Sequence, residues 1–200
     1  MFNLKNKIMK AIKFKMVGIV PLMLNNPQTV NPMNGYSKEL KALTSKRTKT
    51  DEDLNEIFHI HFLASCYQDK KGQYVLPANM VFKSFESGAK EFKLGQKFQR
   101  SLFVTHDLVL KFAENGCTPE ELWENHSEKY VDIRPVGIQK SKVPTARMII
   151  PEWWCEGELH FDECQMNKSE VWNALVAAGE RHGVGTYRQC YGRYKITEIK

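Results

Sequence analysis

The chain lacks several features that would announce its chemistry. No apolar run approaches the roughly 18 residues needed to span a bilayer. Residues 1–15 are basic, but Lys10, Lys13 and Lys15 interrupt them, so they have neither the apolar centre nor the small-residue cleavage site of a secretory signal. The expectation is a cytoplasmic protein with no membrane partner. The cysteines (Cys66, Cys117, Cys155, Cys164 and Cys190) are odd in number and scattered, which argues against a disulfide framework. No Cys-x-x-Cys pair is present to hold zinc. Neither a phosphate-binding P-loop nor a dinucleotide fingerprint occurs, which speaks against nucleotide hydrolysis, and no cofactor is expected. Internal repeats and low-complexity tracts are missing as well. Acidic residues are nearly absent from the two ends.

That last absence shapes the charge, which is +6 overall. Residues 1–50 carry ten Lys/Arg and the single acid Glu39, residues 51–180 carry 14 Lys/Arg against 21 acids, and residues 181–200 carry five against one. Termini often meet in folded domains; if these do, they form one basic face over a slightly acidic body. Such a face recruits nucleic acid by neutralising phosphates and releasing counterions, although lysine-rich termini are also common in soluble proteins with no such partner. With 42% hydrophobic and 11% aromatic residues over 200 positions, the chain can bury a substantial core. It reads as one domain, or one domain with a sizeable insertion.

Patterning gives the elements. Alternating apolar and lysine residues over 11–24 predict a first strand that stops at Pro21. Residues 25–36, with Asn25-Asn26-Pro27, Asn31-Pro32 and Asn34-Gly35, are turn chemistry. Residues 37–49 predict a short amphipathic helix fraying into a basic loop. Thr50 and Asp53 make a variant capping box for a helix from Asp51 to Ser65. A short strand through Tyr74, Val75 and Leu76 reaches Pro77 and leads into a helix from about Met80 to Phe92. Leu102 to Phe112 predicts a single strand, Glu120 to Glu124 a helical turn, and residues 133–147 a basic loop or hairpin. Met148–Ile150 and Trp153–Phe161 read as strand. Asn167 caps a helix from Lys168 to Ala178, with Glu170 as capping-box partner and Gly179 as C-cap. Tyr194 to Ile199 closes the chain as a strand. Strands separated by helices and also joined as hairpins define an α+β fold, an antiparallel sheet with helices on one face.

The densest chemistry sits near the end: Arg181, Gly183, Gly185, Tyr187, Arg188, Gly192 and Arg193. Glycine permits positive φ and close approach of another chain, while arginine brings charge and a planar face that stacks or grips phosphate. Two readings fit these residue types: a turn-rich hairpin with solvated arginines, and a loop shaped to receive a polyanion.

Three segments carry a resemblance. They are Val20-Pro21-Leu22-Met23 at the end of the first strand, the strand-to-helix junction Tyr74-Val75-Leu76-Pro77-Ala78-Asn79, and the closing Gly/Arg-rich segment. Together they resemble the repeat-associated mysterious protein (RAMP) superfamily, whose members form the backbones and guide-processing nucleases of CRISPR complexes on a modified RRM-like, ferredoxin-like core. Ala78 stands where that pattern usually has glycine. The chain is also similar to uncharacterised bacteriophage proteins of this architecture, which commonly end in Gly-(Ile/Leu)-Gly-Asp-(Trp/Phe)-Arg-Pro followed by Gly-Arg-Phe. It keeps Gly183, Gly185, Arg188, Gly192 and Arg193, and has Thr186 for the aspartate and Gln189 for the proline. The resemblance implies a single RAMP-like domain over 1–200, with a basic loop or helical insertion around 25–65 and a hairpin or loop insertion around 133–147. For a phage-encoded chain the location is the host cytoplasm.

The function implied is binding of a single strand, RNA or single-stranded DNA, with self-association along that strand as in backbone members. Lys46, Arg47 and Lys49 in one loop, Lys140, Lys142 and Arg147 in another, and Arg181, Arg188 and Arg193 at the end supply cations. Tyr187, Tyr191 and Tyr194 lie beside the terminal arginines, and Tyr36 lies in the first loop; cations beside aromatic platforms are what single-strand binders use. For Tyr194, inside a strand, core packing is the better reading. Two alternatives stay open. One is a metal-independent endoribonuclease with His182 as general acid or base; the other is an interaction protein that engages a host defence complex. His59-Ile60-His61 is a poor metal pair, because positions two apart on a helix diverge and nothing completes a tetrahedral set.

Overall fold

The computed structural model describes residues 9–138, 141–188 and 190–200. The chain begins with β1 (Met9–Gly18), β2 (Leu22–Met23), α1 (Gly35–Thr44), α2 (Asp51–Ser65), β3 (Val75–Leu76), α3 (Ala78–Glu91), α4 (Gly95–Ser101) and β4 (Leu102–Val104). It continues through β5 (Leu108–Val109), α5 (Pro119–Tyr130), β6 (Val131–Ile138), β7 (Ser141–Ile150), β8 (Trp154–Asp162), α6 (Lys168–Ala177) and β9 (Tyr194–Glu198). These elements divide into two compact units, one built from the described parts of 9–22, 75–113 and 152–200, the other from 23–74 and 114–151.

The first unit is organised by β1. Its alternation is realised in space: Ile12, Phe14 and Met16 are buried, while Ala11, Lys13 and Val17 face outward. The sheet order is β4-β8-β1-β9, all antiparallel. With α3 between β1 and β4, and α6 between β8 and β9, this is the β-α-β-β-α-β arrangement of a ferredoxin-like core. Phe14 meets Phe85 of α3 edge-on at 5.4 Å, and Cys155, Leu159 and Phe161 of β8 complete the buried face. The carboxylate of Glu86, nearly enclosed on α3, is held by Lys83 (2.8 Å), Lys90 (2.7 Å) and Gln99 (2.6 Å).

The second unit is built on α2, α5 and the β6–β7 hairpin, whose register runs from Val131↔Met148 to Ile138↔Ser141. Its sheet has the order β2-β7-β6. The Met148 N–H donates to Ser65 Oγ at the end of α2 (2.9 Å), and Phe62 of α2 lies against Trp123 of α5 at 5.6 Å. Both helices start with complete capping boxes, Thr50 with Asp53 and Thr118 with Glu121, which satisfy the orphan N–H groups of a first turn. Among the described residues no helix is long and apolar enough to cross a membrane.

Four local expectations change. The first strand ends at Gly18, where the Gly18 N–H turns to the Trp153 carbonyl and the Ile19 N–H to the Arg193 carbonyl. Leu102 to Phe112 is not one strand: Asp107 accepts the Ala78 N–H and breaks it, so β4 pairs with β8 while β5 pairs with β3. The helical turn after Pro119 extends to a 12-residue helix, because Leu122 and Tyr130 find buried positions along it. Gly179 is not a C-cap. The chain continues through a π-helical turn, Ala178–His182, and stops at Gly183 with φ 67°. Gly179 instead admits Tyr194, whose carbonyl oxygen would lie 2.4 Å from a Cβ there.

Candidate nucleic-acid interface

The candidate residues fall into two groups, one in each unit. In the first, the segment from Gly183 to Arg193 is a loop fastened at its base. Ser84 Oγ donates to the Gly183 carbonyl (2.7 Å), the Val184 N–H donates to the Gly192 carbonyl (2.9 Å), and the Gly192 N–H donates to the Pro21 carbonyl (2.8 Å). Gly192 has φ 71°, and a Cβ there would fall 1.8 Å from the Val184 carbonyl oxygen, so only glycine closes the loop. Gly185, with φ 87°, turns the chain outward. Tyr187 and Arg188 then sit exposed at the far side, Tyr187 at 40% exposure and with φ 53°. Positive φ in a bulky non-glycine residue costs energy and persists where the surroundings impose it. Arg193 is half-buried at the loop's return, and its carbonyl takes the Ile19 N–H at 2.8 Å. Tyr194 is fully buried, its hydroxyl 2.9 Å from Ser84 Oγ, and burial raises its pKa. Gln189 lies outside the described residues.

Arg181 and His182 do not point to the loop's far side. Both engage Glu91 at the end of α3: Arg181 by an ion pair, His182 through Nε2 at 2.8 Å from the carboxylate. Burial pushes the Glu91 carboxyl up, and hydrogen bonds from Arg181 and His182 more than reverse this, leaving it below its ordinary range. Glu91 had no part in the sequence reading.

The first and last strands lie side by side, with Lys15 opposite Thr197 and Val17 opposite Lys195. The sheet face turned away from α3 and α6 carries paired aromatic and charged residues. Trp154 takes the Lys15 ammonium over its ring at 3.8 Å, and Phe103 stacks on His160 at 5.3 Å with planes 11° apart. Glu156 is 3.3 Å from Lys15, and Glu158 lies opposite Lys13 and 2.6 Å from His160. Both glutamates thus have a basic side chain of the same sheet beside them.

In the second unit, Lys46 pairs with Asp53 at 2.6 Å and Arg47 is exposed. Lys142 is exposed on β7, while Lys140 lies outside the described residues. Arg147 is not on a loop: it belongs to β7 and is only 7% exposed. Between α2 and the hairpin lies a cleft of about 510 Å³. Its walls include Leu54, Ile57, Phe58 and Val143, and Lys49 and Arg147 both line it. His61 lines it too, and burial, reinforced by the Arg147 charge, lowers its pKa. The cleft thus joins two of the expected cations to His61. Among the described residues no group of three or more His, Cys, Asp or Glu side chains could hold a metal ion.

No family model matches the chain, and none of the curated proteins matches it. Solved structures do. It is similar to Cmr6 from Pyrococcus furiosus, with a TM-score of 0.43 and 9% identity over 98% of this chain and 100% of that one. It is also similar to a Cas6 product complex, with a TM-score of 0.25 and 14% identity over 94% of this chain and 50% of that one. The α+β, ferredoxin-like description rests on the strand order and connections given above.

Proposed function

We propose that the protein binds a single strand of nucleic acid, RNA or single-stranded DNA, largely without regard to base sequence. One observation carries the reading: a glycine-closed loop holds Tyr187 in a costly conformation, and Tyr187 and its chain neighbour Arg188 are both exposed there. Bases of any identity stack on such a ring, and the guanidinium grips the phosphate between them. The lysines of β1 and β9 add sequence-independent attraction on the same unit.

The test is a mobility shift with fluorescent single-stranded RNA and DNA. Binding at low salt is expected, and Tyr187→Ala or Arg188→Ala should each weaken it about tenfold, in line with roughly 1–3 kcal/mol per stacked base. No shift with either strand at low salt would refute the proposal. A ladder of bands on longer oligonucleotides would report side-by-side assembly. A second reading, metal-independent RNA cleavage, has one observation in its favour: the Glu91 carboxylate orients His182 from 2.8 Å. A denaturing gel of the same incubations decides it, since cleavage by the protein must vanish in His182→Ala.

A further inference from the structure

We infer that the open face of the β4-β8-β1-β9 sheet docks on the same face of a second copy of this chain, about a two-fold axis running along the strands between β1 and β8. The inference goes beyond the strand-binding proposal and does not depend on it.

Register comes first. Residues paired across an antiparallel ladder point to the same side of the sheet. On the side turned away from α3 and α6, β8 therefore presents Trp154, Glu156 and Glu158 in one column, and β1 presents Val17, Lys15 and Lys13 beside them, row by row. The face is divided by strand, with carboxylates on β8 and ammonium groups on β1.

That division is complementary to itself in one orientation and not in the other. Identical surfaces meet about a two-fold axis. Turned over about an axis parallel to the strands, the second copy lays its β1 on β8. Glu156 then faces the partner's Lys15, Glu158 the partner's Lys13 and Trp154 the partner's Val17. Turned over about an axis across the strands, it would set Glu156 against Glu158 and Lys13 against Lys15. Opposed like charges disfavour the second arrangement, and opposite charges fix the register of the first.

Apolar area and prior order supply the rest. Val17, Phe103 and Trp154 are exposed, at 42%, 50% and 37%. Their removal from water favours docking. Trp154 already lies under Lys15 at 3.8 Å, Phe103 is stacked on His160 at 5.3 Å, and His160 is 2.6 Å from Glu158. Side chains held in this way lose little freedom on docking. Four strands about 4.8 Å apart and about 20 Å long offer less than the roughly 800 Å² per partner of a standard interface, so the dimer is a weak one, with a dissociation constant in the micromolar range or above. Docking covers Lys13 and Lys15, so a nucleic-acid strand drawn to these lysines competes with the second copy.

The test is sedimentation equilibrium of the full chain from micromolar to near-millimolar concentration. At low salt a monomer–dimer equilibrium is expected, shifting to monomer as sodium chloride is added. Glu156→Lys with Glu158→Lys should weaken the dimer at least tenfold, and so should Lys13→Glu with Lys15→Glu. An equimolar mixture of the two variants should dimerise at least as well as wild type, a recovery that misfolded chains cannot give. Val17→Lys, a single change at an exposed position, should weaken the dimer at least tenfold with an unchanged melting temperature. A wild-type chain that stays monomeric at low salt would overturn the inference, as would a dimer that survives both charge reversals. Charge reversals that alter oligonucleotide binding by a monomeric wild type would give the face to the strand, which overturns the dimer and leaves the strand proposal intact. A dimer with the expected variant pattern and no oligonucleotide binding would support the inference and sink the strand proposal alone.

Discussion

Glu86 illustrates how one residue can report on the whole first unit. Hydrogen bonds from Lys83 and then Lys90, with Gln99 adding a third, pull its carboxyl from an ordinary 4.5 down to about 2. A carboxyl with a depressed native pKa stabilises the fold above its unfolded value, and that contribution disappears as pH falls through the native value. The window here runs from about pH 4.5 down to about 2. Glu86→Gln should cost about 2 kcal/mol at pH 7, lowering Tm by roughly 4–8 °C. The gap between variant and wild type should close as thermal scans move from pH 5 towards pH 2; a gap independent of pH would show that the carboxylate charge is irrelevant. The buried thiols of Cys66 and Cys155, pushed up to about 12 by desolvation, behave as small apolar side chains and are not expected to react.

Elements with their own start and stop signals were legible in the sequence. The start of α2 follows from the Thr50–Asp53 box, and the start of α6 follows from Asn167, whose side chain accepts the Glu170 N–H while Glu170 reaches back. Asn167→Ala should cost about 1 kcal/mol, measured by urea denaturation; a change below a few tenths would mean that tertiary packing alone fixes this end. What the sequence did not disclose depends on partners far along the chain. Periodicity assigns Glu156 and Glu158 to a face but does not reveal that Lys15 and His160 lie beside them. Glu91 and His182 are 91 residues apart and meet only because α3 runs beside the π-helical turn after α6. Arg147 was legible as a cation, but its place in a regular strand, and hence its burial, followed from β6 pairing with it throughout.

At the scale of the molecule, the lysines of β1 and Lys195 of β9 come onto one sheet once these strands pair. Binding driven by such charge weakens with salt, with a log–log slope of about −0.7 for each phosphate neutralised on a single strand. Titrations of oligonucleotide binding against sodium chloride should give a straight line, and Arg188→Ala should reduce its slope by about 0.7; an unchanged slope would remove Arg188 from the phosphate contacts. The position of β1 has one more consequence. Its two neighbours are β8 and β9, drawn from residues 154–162 and 194–198. On the ribosome, β1 then has no partner on either edge until β8, about 140 residues later, has been made. At about 5–20 residues per second, that wait lasts roughly 7–30 s. Throughout it, Ile12, Phe14 and Met16 are available to chaperones or to a neighbouring nascent chain on the same message, so yield in the cell should depend on translation speed as much as on final stability.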